Sequence, residues 1–235
     1  GQRANGFQKV CNGGDGGTGT RTLSTGGNGG DGGYGLGGGL FNAGNIVVVN
    51  CTFSGCGGVG GTNGVAGSGR FDGTDGTPGL GLGGDIAQGS GSFVLQNTIL
   101  AASSAGGNAF VNSLSHITDG GYNLSSDLTP SLGGTSLKNT NPKISSTLAD
   151  NGGPTLTLAF VTNTSPAIGK VPSGASPATD QRGIPRPQPQ GGLSDIGAYE
   201  LVTRPAILTQ PQSQTIEQGS DATFTVSAFG DTPAY

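Results

Sequence analysis

The chain has 235 residues, of which 50 are glycine and 13 are proline, and only 10% of all residues are charged. A net charge of −4 leaves no basic surface for nucleic acid. No apolar run reaches the roughly 18 residues that a membrane span requires. The glycines are clustered between stretches rich in Val, Ile, Leu, Thr and Asn, which predicts a folded β-protein with glycine-rich inserts rather than disorder. Because the sequence starts at Gly1 and contains no methionine, we expect a fragment or a processed product.

The first half of the chain contains an internal repeat. Residues 48–56, "VVNCTFSGC", align with residues 3–11, "RANGFQKVC", and with residues 93–103, "FVLQNTILAAS". A glycine-rich approach precedes the later two strands, as "GLGGGLFNAG" and "GLGGDIAQGS". One asparagine recurs in all three copies, as Asn5, Asn50 and Asn97. Short strands that bend at an asparagine and repeat with some drift in length predict the stacked coils of a parallel β-helix.

The repeated asparagines predict a ladder along the stack. Coils stack about 4.8 Å apart, so Asn5, Asn50 and Asn97 would exchange amide hydrogen bonds between neighbouring coils. The alternative is that asparagine is simply common in turns.

The three cysteines fit the same repeat. Cys11 and Cys56 are 45 residues apart and hold equivalent places, so on adjacent coils they would lie within disulfide reach. If each glycine insert formed a coil of its own, the two would be too far apart. We expect a structural Cys11–Cys56 disulfide with Cys51 buried as a small apolar residue, and Cys51 remains the competing partner of Cys56.

The glycine-rich inserts allow two interpretations. Glycine backbones can pack closely as extended polyproline-II-like segments, which predicts a second layer along the solenoid tied by backbone hydrogen bonds. In this interpretation Tyr34 or Leu36 anchors the layer. The alternative is that the inserts are floppy loops.

The second half of the chain carries a family resemblance. "LADNGGPTLTLAF", "SPAIG", "ATDQRGIPRP" and "DIGAYE" follow one another between residues 148 and 200. This succession resembles the end of bacterial secreted right-handed parallel β-helix proteins of the choice-of-anchor Q type. The resemblance implies an all-β fold, a right-handed parallel β-helix, over residues 1–202. The glycine-rich repeats would occupy residues 1–104 and a C-terminal cap region residues 105–202.

Charged residues in the cap region predict ion pairs. Asp180 can pair with Arg182, and Asp195 is placed to bond Arg182 or Arg186. The last coil of a solenoid exposes an apolar top, so we expect this segment to cover it. The functional alternative is a carboxylate–arginine site.

The composition shifts again after residue 203. "ILTQPQSQTIEQGSDATFTVSA" resembles the A and B strands of an immunoglobulin-like domain. Residues 203–235 therefore predict the start of such a β-sandwich, completed by further chain or by a neighbour through strand addition.

These features favour a non-enzymatic extracellular protein, secreted by a bacterium: a structural or adhesive subunit of the cell surface or of a fibre. It would self-associate head to tail or bind other surface components. An enzyme is the alternative, a polysaccharide lyase or glycoside hydrolase, but the strands "IVVVNCTF" and "FVLQNTIL" contain no acidic residue. Weaker alternatives are an ice-binding surface and a calcium site, since Asp31, Asp72 and Asp75 lie singly in glycine-rich turns. We expect no cofactor.

Overall fold

The computed structural model describes residues 15–16, 25–202, 206–209 and 211–229. Within these residues the protein is all-β, with thirteen strands and no helix. Accordingly, the described part of the chain contains no helix able to cross a membrane. Asn5 and Cys11 lie outside the described residues.

Eleven of the strands belong to three successive coils. The first two coils contribute one short strand to each of four stacked sheets, and the third contributes one to each of three. The first coil contains β1 (Gly35–Leu36), β2 (Leu40–Asn42), β3 (Ile46–Val49) and β4 (Thr52–Ser54). The second contains β5 (Gly81–Leu82), β6 (Ile86–Gln88), β7 (Phe93–Gln96) and β8 (Ile99–Ala101). The third contains β9 (Ala109–Val111), β10 (Ile117–Asp119) and β11 (Leu124–Ser125).

Strands of neighbouring coils pair in parallel, with orders β1-β5, β2-β6-β9, β3-β7-β10 and β4-β8-β11. Val48 pairs with Leu95, 47 residues later, and Leu95 pairs with Asp119, only 24 residues later. The second coil-to-coil step is shorter because the third coil follows the second without a glycine-rich insert. The architecture is compatible with a β-helix-like solenoid.

The core lies inside the coils because alternate strand residues point inward. Phe93, Leu95 and Leu100 are completely buried and pack with Val48 and Ile86 of neighbouring strands. Fully burying side chains of this size contributes about 1.5–3 kcal/mol each. Contacts between coils therefore supply the hydrophobic stabilisation of the stack.

Three glycine-rich segments run beside the coils: the first glycine segment (26–35), the second (61–67) and the third (71–80). Amides of the first segment donate to carbonyls of the third, as in Gly29 to Thr74 at 2.9 Å. Amides of the second donate to the first, as in Gly64 to Gly30 at 2.8 Å. Amides of the third donate to the second, as in Gly76 to Gly64 at 3.1 Å. The three segments close a triangle of backbone hydrogen bonds.

Within each segment, the residues whose amides donate in this triangle are three positions apart. Three residues per turn is the repeat of a polyproline II helix. The donors are Gly26, Gly29, Gly32 and Gly35, then Gly61, Gly64 and Gly67, and finally Gly73, Gly76 and Gly79. A Cβ atom on Gly29 would lie 2.1 Å from the oxygen of Gly64, so only glycine allows this approach. The glycine-rich inserts thus form a hydrogen-bonded second layer.

Of the two side chains expected to anchor this layer, Tyr34 does not do so. The Tyr34 side chain is 64% exposed, and Leu36 is only half-buried. The backbone hydrogen bonds themselves hold the glycine segments, so no large side chain is needed between them.

The downstream end of the stack is closed by residues 127–140. Leu132 is buried in the core cluster, and Leu137 pairs with Leu124 of β11 in a parallel bridge. The Asp119 carboxylate accepts hydrogen bonds from the amide of Gly133 and the hydroxyl of Ser136. This short segment caps the third coil.

Residues 141–202, the flanking segment, return along the side of the stack, where Ala167, Val171 and Ile196 pack with Ile99 and Ala101 of β8 and Leu124 of β11. Asn50 of the first coil donates to the backbone oxygens of Asp195 and Gly197, both at 3.3 Å. The amide of Gly197 donates to the oxygen of Asn97 in the second coil at 2.8 Å. The expectation that the Asp180–Asp195 stretch caps the last coil is wrong, because residues 127–140 close that end of the core and Asp195 contacts the first coil instead.

The remaining strands lie after the coils. β12 (Ala206–Thr209) pairs antiparallel with β13 (Ser227–Phe229), and the register shifts between Ile207 and Thr209.

Candidate functional site

Two of the three ladder asparagines are described, and they are in contact. Asn50 and Asn97 have left-handed backbones, with φ of 48° and 51°. The side-chain amide of Asn97 donates to the side-chain oxygen of Asn50 at 2.9 Å and to the oxygen of Ala175 at 2.6 Å. The main-chain amide of Asn97 donates to the oxygen of Gly121 in the third coil, so the asparagine ladder does not continue at that position. The two residues stabilise one corner of the coils and fasten the flanking segment to it.

A second buried amide pair was missed by the sequence analysis. Asn42 donates its side-chain amide to the side-chain oxygen of Gln88 at 2.7 Å. The two residues end β2 and β6 at equivalent positions of the aligned approaches "LFNAG" and "IAQGS". The signal was present, but the change from asparagine to glutamine concealed it.

The two described cysteines lie on either side of β4, with Cys51 directly before it and Cys56 after it. No disulfide joins Cys51 to Cys56, so Cys51 is not the partner of Cys56 in this structure. Cys51 packs against the core, its thiol lies 3.3 Å from the oxygen of Val49, and burial raises its pKa. The Cys11–Cys56 disulfide stays a prediction because Cys11 lies outside the described residues.

The charged residues of the flanking segment form a buried cluster. Asp180 and Arg182 pair at 2.8 Å, and Arg186 pairs with Glu200 at 2.7 Å. All four side chains are at most 1% exposed. The guanidinium of Arg182 also stacks 3.5 Å above the ring of Tyr199.

Asp195 holds its place through main-chain contacts rather than an ion pair with Arg182. Arg186 donates to the backbone oxygen of Asp195 at 2.8 Å. The Asp195 carboxylate accepts from the amides of Gly169 and Leu201, both at 2.7 Å. Burial and the nearby charge of Glu200 raise the pKa of Asp195 to about 7.

Glu200 is the member of this cluster that the sequence analysis did not single out. Its carboxylate accepts from Arg186 and from the amides of Gln188 and Asp195, the latter two at 2.8 and 2.9 Å. Burial raises its pKa. The residue ends the "DIGAYE" motif, and an acidic residue directly after a buried tyrosine was the available signal.

The cluster holds the loops of the flanking segment together through hydrogen bonds and ion pairs. The Asp180 carboxylate accepts four hydrogen bonds, from the amides of Arg182, Ile184 and Glu200 and from the Arg182 side chain. Each carboxylate is thus engaged by main-chain amides, and such a group is poorly placed to act as a nucleophile or a general base.

A groove of about 620 Å³ lies between the first coil and the flanking segment. Residues 49–54 form one wall, residues 146–148 and 179–181 contribute to the other, and Arg186 and Asp180 are its charged lining residues. Both of these are held by the buried cluster. The groove therefore offers an apolar surface next to the strand β4 rather than a constellation of reactive groups.

The side-chain carboxylates of the acidic residues in the glycine layer accept hydrogen bonds from backbone amides. Asp31 accepts from the amide and hydroxyl of Thr77 at 2.7 and 2.9 Å, and these hydrogen bonds lower its pKa. Asp75 accepts from the amide of Ala66 and Asp72 from that of Gly69. Within the described ranges no group of three or more potential ligating residues gathers around one point.

The chain matches no protein family, no curated protein and no solved structure. The class that the geometry defines is therefore an all-β protein of stacked parallel sheets with a glycine-rich second layer.

Proposed function

We propose that the protein is a non-enzymatic structural or adhesive component of a bacterial cell surface or extracellular fibre, built on a right-handed parallel β-helix. The observation that carries this proposal is the closed triangle of backbone hydrogen bonds among the three glycine segments. A layer so poor in side chains offers few groups for catalysis or ligand binding. It stiffens the coil stack along which it runs.

The state of the buried carboxylates supports a non-catalytic role. A glycosidase requires two carboxylates facing a substrate, with one able to donate or accept a proton. Asp180, Asp195 and Glu200 instead accept hydrogen bonds from main-chain amides inside the flanking segment. Their arrangement favours a stabilising role over a lyase or hydrolase site.

The open edge of the first coil supports self-association. β3 and β4 are terminal strands of their sheets among the described residues, and parallel addition to such an edge requires only backbone pairing. The third coil ends in residues 127–140, so a head-to-tail contact would join the edge of the first coil to this segment of a second copy. Head-to-tail contacts of this kind do not close and produce filaments.

The resemblance of residues 148–200 to choice-of-anchor Q proteins supports the same assignment. Residues 203–235 would begin an immunoglobulin-like module, and the antiparallel pairing of β12 with β13 is in keeping with this. Secretion follows from the same resemblance.

Electron microscopy and enzyme assays test the proposal together. We expect negative-stain images to show elongated particles that join end to end as concentration rises. Ser54→Pro removes an amide on the open edge of β4, so this variant should stay monomeric while its circular dichroism remains that of the wild type. Discrete wild-type monomers at high concentration would contradict assembly. Unsaturated or reducing products from a panel of acidic polysaccharides would contradict the non-enzymatic assignment.

A further inference from the structure

Asp85 is a buried carboxylic acid that the ion-pair cluster does not include. It lies between β5 and β6 and is 0% exposed. Its main chain is held firmly, since the amide donates to the oxygen of Asn108 at 3.1 Å and the oxygen accepts from Leu40 at 2.9 Å. Neither side-chain oxygen has a hydrogen-bond partner of normal geometry among the described residues. An ionised carboxylate in such a place is costly.

The coil register shows what this position requires. Ile86 pairs with Ala109, so Asp85 stands one coil before Asn108. Asn108 donates its side-chain amide to the oxygen of Leu100 at 2.9 Å, and its side-chain oxygen accepts from the amide of Ser103 at 3.2 Å. This corner therefore uses a side chain that is both a donor and an acceptor.

The same backbone groups recur one coil earlier. Phe53 pairs with Leu100, so its oxygen is equivalent to the acceptor used by Asn108. The amide of Cys56 stands where that of Ser103 stands, 47 residues earlier. By this register the oxygen of Phe53 lies beside Asp85 together with the donors of Cys56 and Ala101, and a carboxyl group can donate to that oxygen only when it carries a proton.

The surroundings of Asp85 favour that proton. Burial raises the pKa of Asp85 to about 7, and the charge of Asp127 adds to this effect. The thiol and amide of Cys56 and the amide of Ala101 oppose it. Cys56 and Asp127 are the titratable groups acting on the carboxyl.

We propose that Asp85 is a pH-sensitive latch between the first and second coils. When uncharged, its O–H donates to the oxygen of Phe53, as the amide of Asn108 does to that of Leu100. When the proton leaves to solvent, a buried negative charge faces that carbonyl oxygen, and the first coil loosens from the second. This stabilisation is complete below about pH 4 and is lost as the pH rises through about 7.

The test compares the wild type with Asp85→Asn, which copies the residue that the next coil already uses. Asp150→Asn, at an exposed loop, is the matched control. Urea unfolding at pH 4.5 should give similar midpoints for all three proteins. At pH 8.5 Asp85→Asn should have an unfolding constant up to about a thousandfold smaller than the wild type, the value expected from a shift of this size. The latch would be overturned if the difference in stability between Asp85→Asn and the wild type were the same at pH 4.5 and at pH 8.5.

A spectroscopic titration serves even if the variant fails to fold. The assigned ¹³Cγ resonance of Asp85 in the wild-type protein should titrate near pH 7. Hydrogen exchange of the Leu40 amide, which donates to the oxygen of Asp85, should accelerate over the same range beyond the intrinsic base-catalysed rate. Titration of Asp85 below pH 5 would refute the proposal.

Discussion

Asn97 donates its side-chain amide to the side-chain oxygen of Asn50 across 2.9 Å, joining equivalent corners of two coils that are 47 residues apart in sequence. Both residues adopt a left-handed backbone that asparagine tolerates better than most residues. The same corner holds the flanking segment through Gly197 and Asp195. One residue type thus provides the turn, the contact between coils and the attachment of the flank.

Replacing Asn97 should separate these roles. Asn97→Ala loses the side-chain hydrogen bonds and places a Cβ-bearing residue without compensation at a φ of 51°, so we expect a loss of about 2–4 kcal/mol. Asn97→Gly loses the same hydrogen bonds without the backbone strain and should cost about 1 kcal/mol less. Urea denaturation measures both. Equal stability of the alanine variant and the wild type would contradict the role of this corner.

The glycine layer should not tolerate a single methyl group. A Cβ on Gly76 would lie 2.1 Å from the oxygen of Gly30, a backbone atom that cannot move aside alone. We expect Gly76→Ala to destabilise the protein by about 1–3 kcal/mol or more. Gly133→Ala is the control, because a Cβ there meets nothing within 4 Å. Similar melting temperatures for the two variants would show that the glycine segments are not packed as described.

Leu132 should be the residue that closes the downstream end of the core. It is only 5% exposed, whereas Leu114 is 94% exposed. Leu132→Ala should therefore lower the free energy of unfolding by about 2–5 kcal/mol, and Leu114→Ala should change it by less than about 0.5 kcal/mol. Chemical denaturation distinguishes these values. A small effect at Leu132 would mean that another segment covers the third coil.

The Arg186–Glu200 pair should be costly to break. Glu200→Gln leaves the buried guanidinium without its carboxylate, for which we expect a loss of about 3–5 kcal/mol. Glu217→Gln, at an exposed position, should have almost no effect. If the two variants unfold at the same urea concentration, the cluster does not fasten the flanking segment.

Stability should also fall as the pH rises from 5 to 8. The pKa of Asp195 is raised to about 7, chiefly by burial, so the folded protein holds this proton more tightly than the unfolded chain. Its contribution is present at low pH and is lost as the pH rises through about 7. Urea midpoints across this range measure the effect, and a rising midpoint would contradict the environment described for Asp195.

The repeat made much of the coil register predictable from sequence. The alignment of Asn50 with Asn97 corresponds to the observed pairing of β3 with β7, and the aligned approaches to the strands correspond to β1-β5 and β2-β6. Local chemistry was sufficient here, because the first and second coils both carry glycine and asparagine where their backbones turn.

The repeat did not predict the third coil or the course of the flanking segment along the stack. The third coil has no glycine insert, and its asparagine at the Asn97 corner, Asn123, stands opposite Thr98 rather than Asn97, so the repeat fades where the stack continues. The flanking segment contacts Asn50 from 145 residues away, and no periodicity encodes that return. The charged residues of the flanking segment could be identified in the sequence, but their position against the coils depends on tertiary packing. Asp85 carried no signal except its alignment with Asn108.

Amide hydrogen exchange by NMR tests the ordered glycine layer most directly. The triangle of hydrogen bonds uses every third amide, including Gly29, Gly64 and Gly76, while Gly30 lies between donors. We predict that the donor amides exchange many-fold more slowly than in an unfolded peptide, and that within the first glycine segment this protection repeats every three residues. Exchange at unfolded-peptide rates throughout residues 26–35, 61–67 and 71–80 would contradict the account.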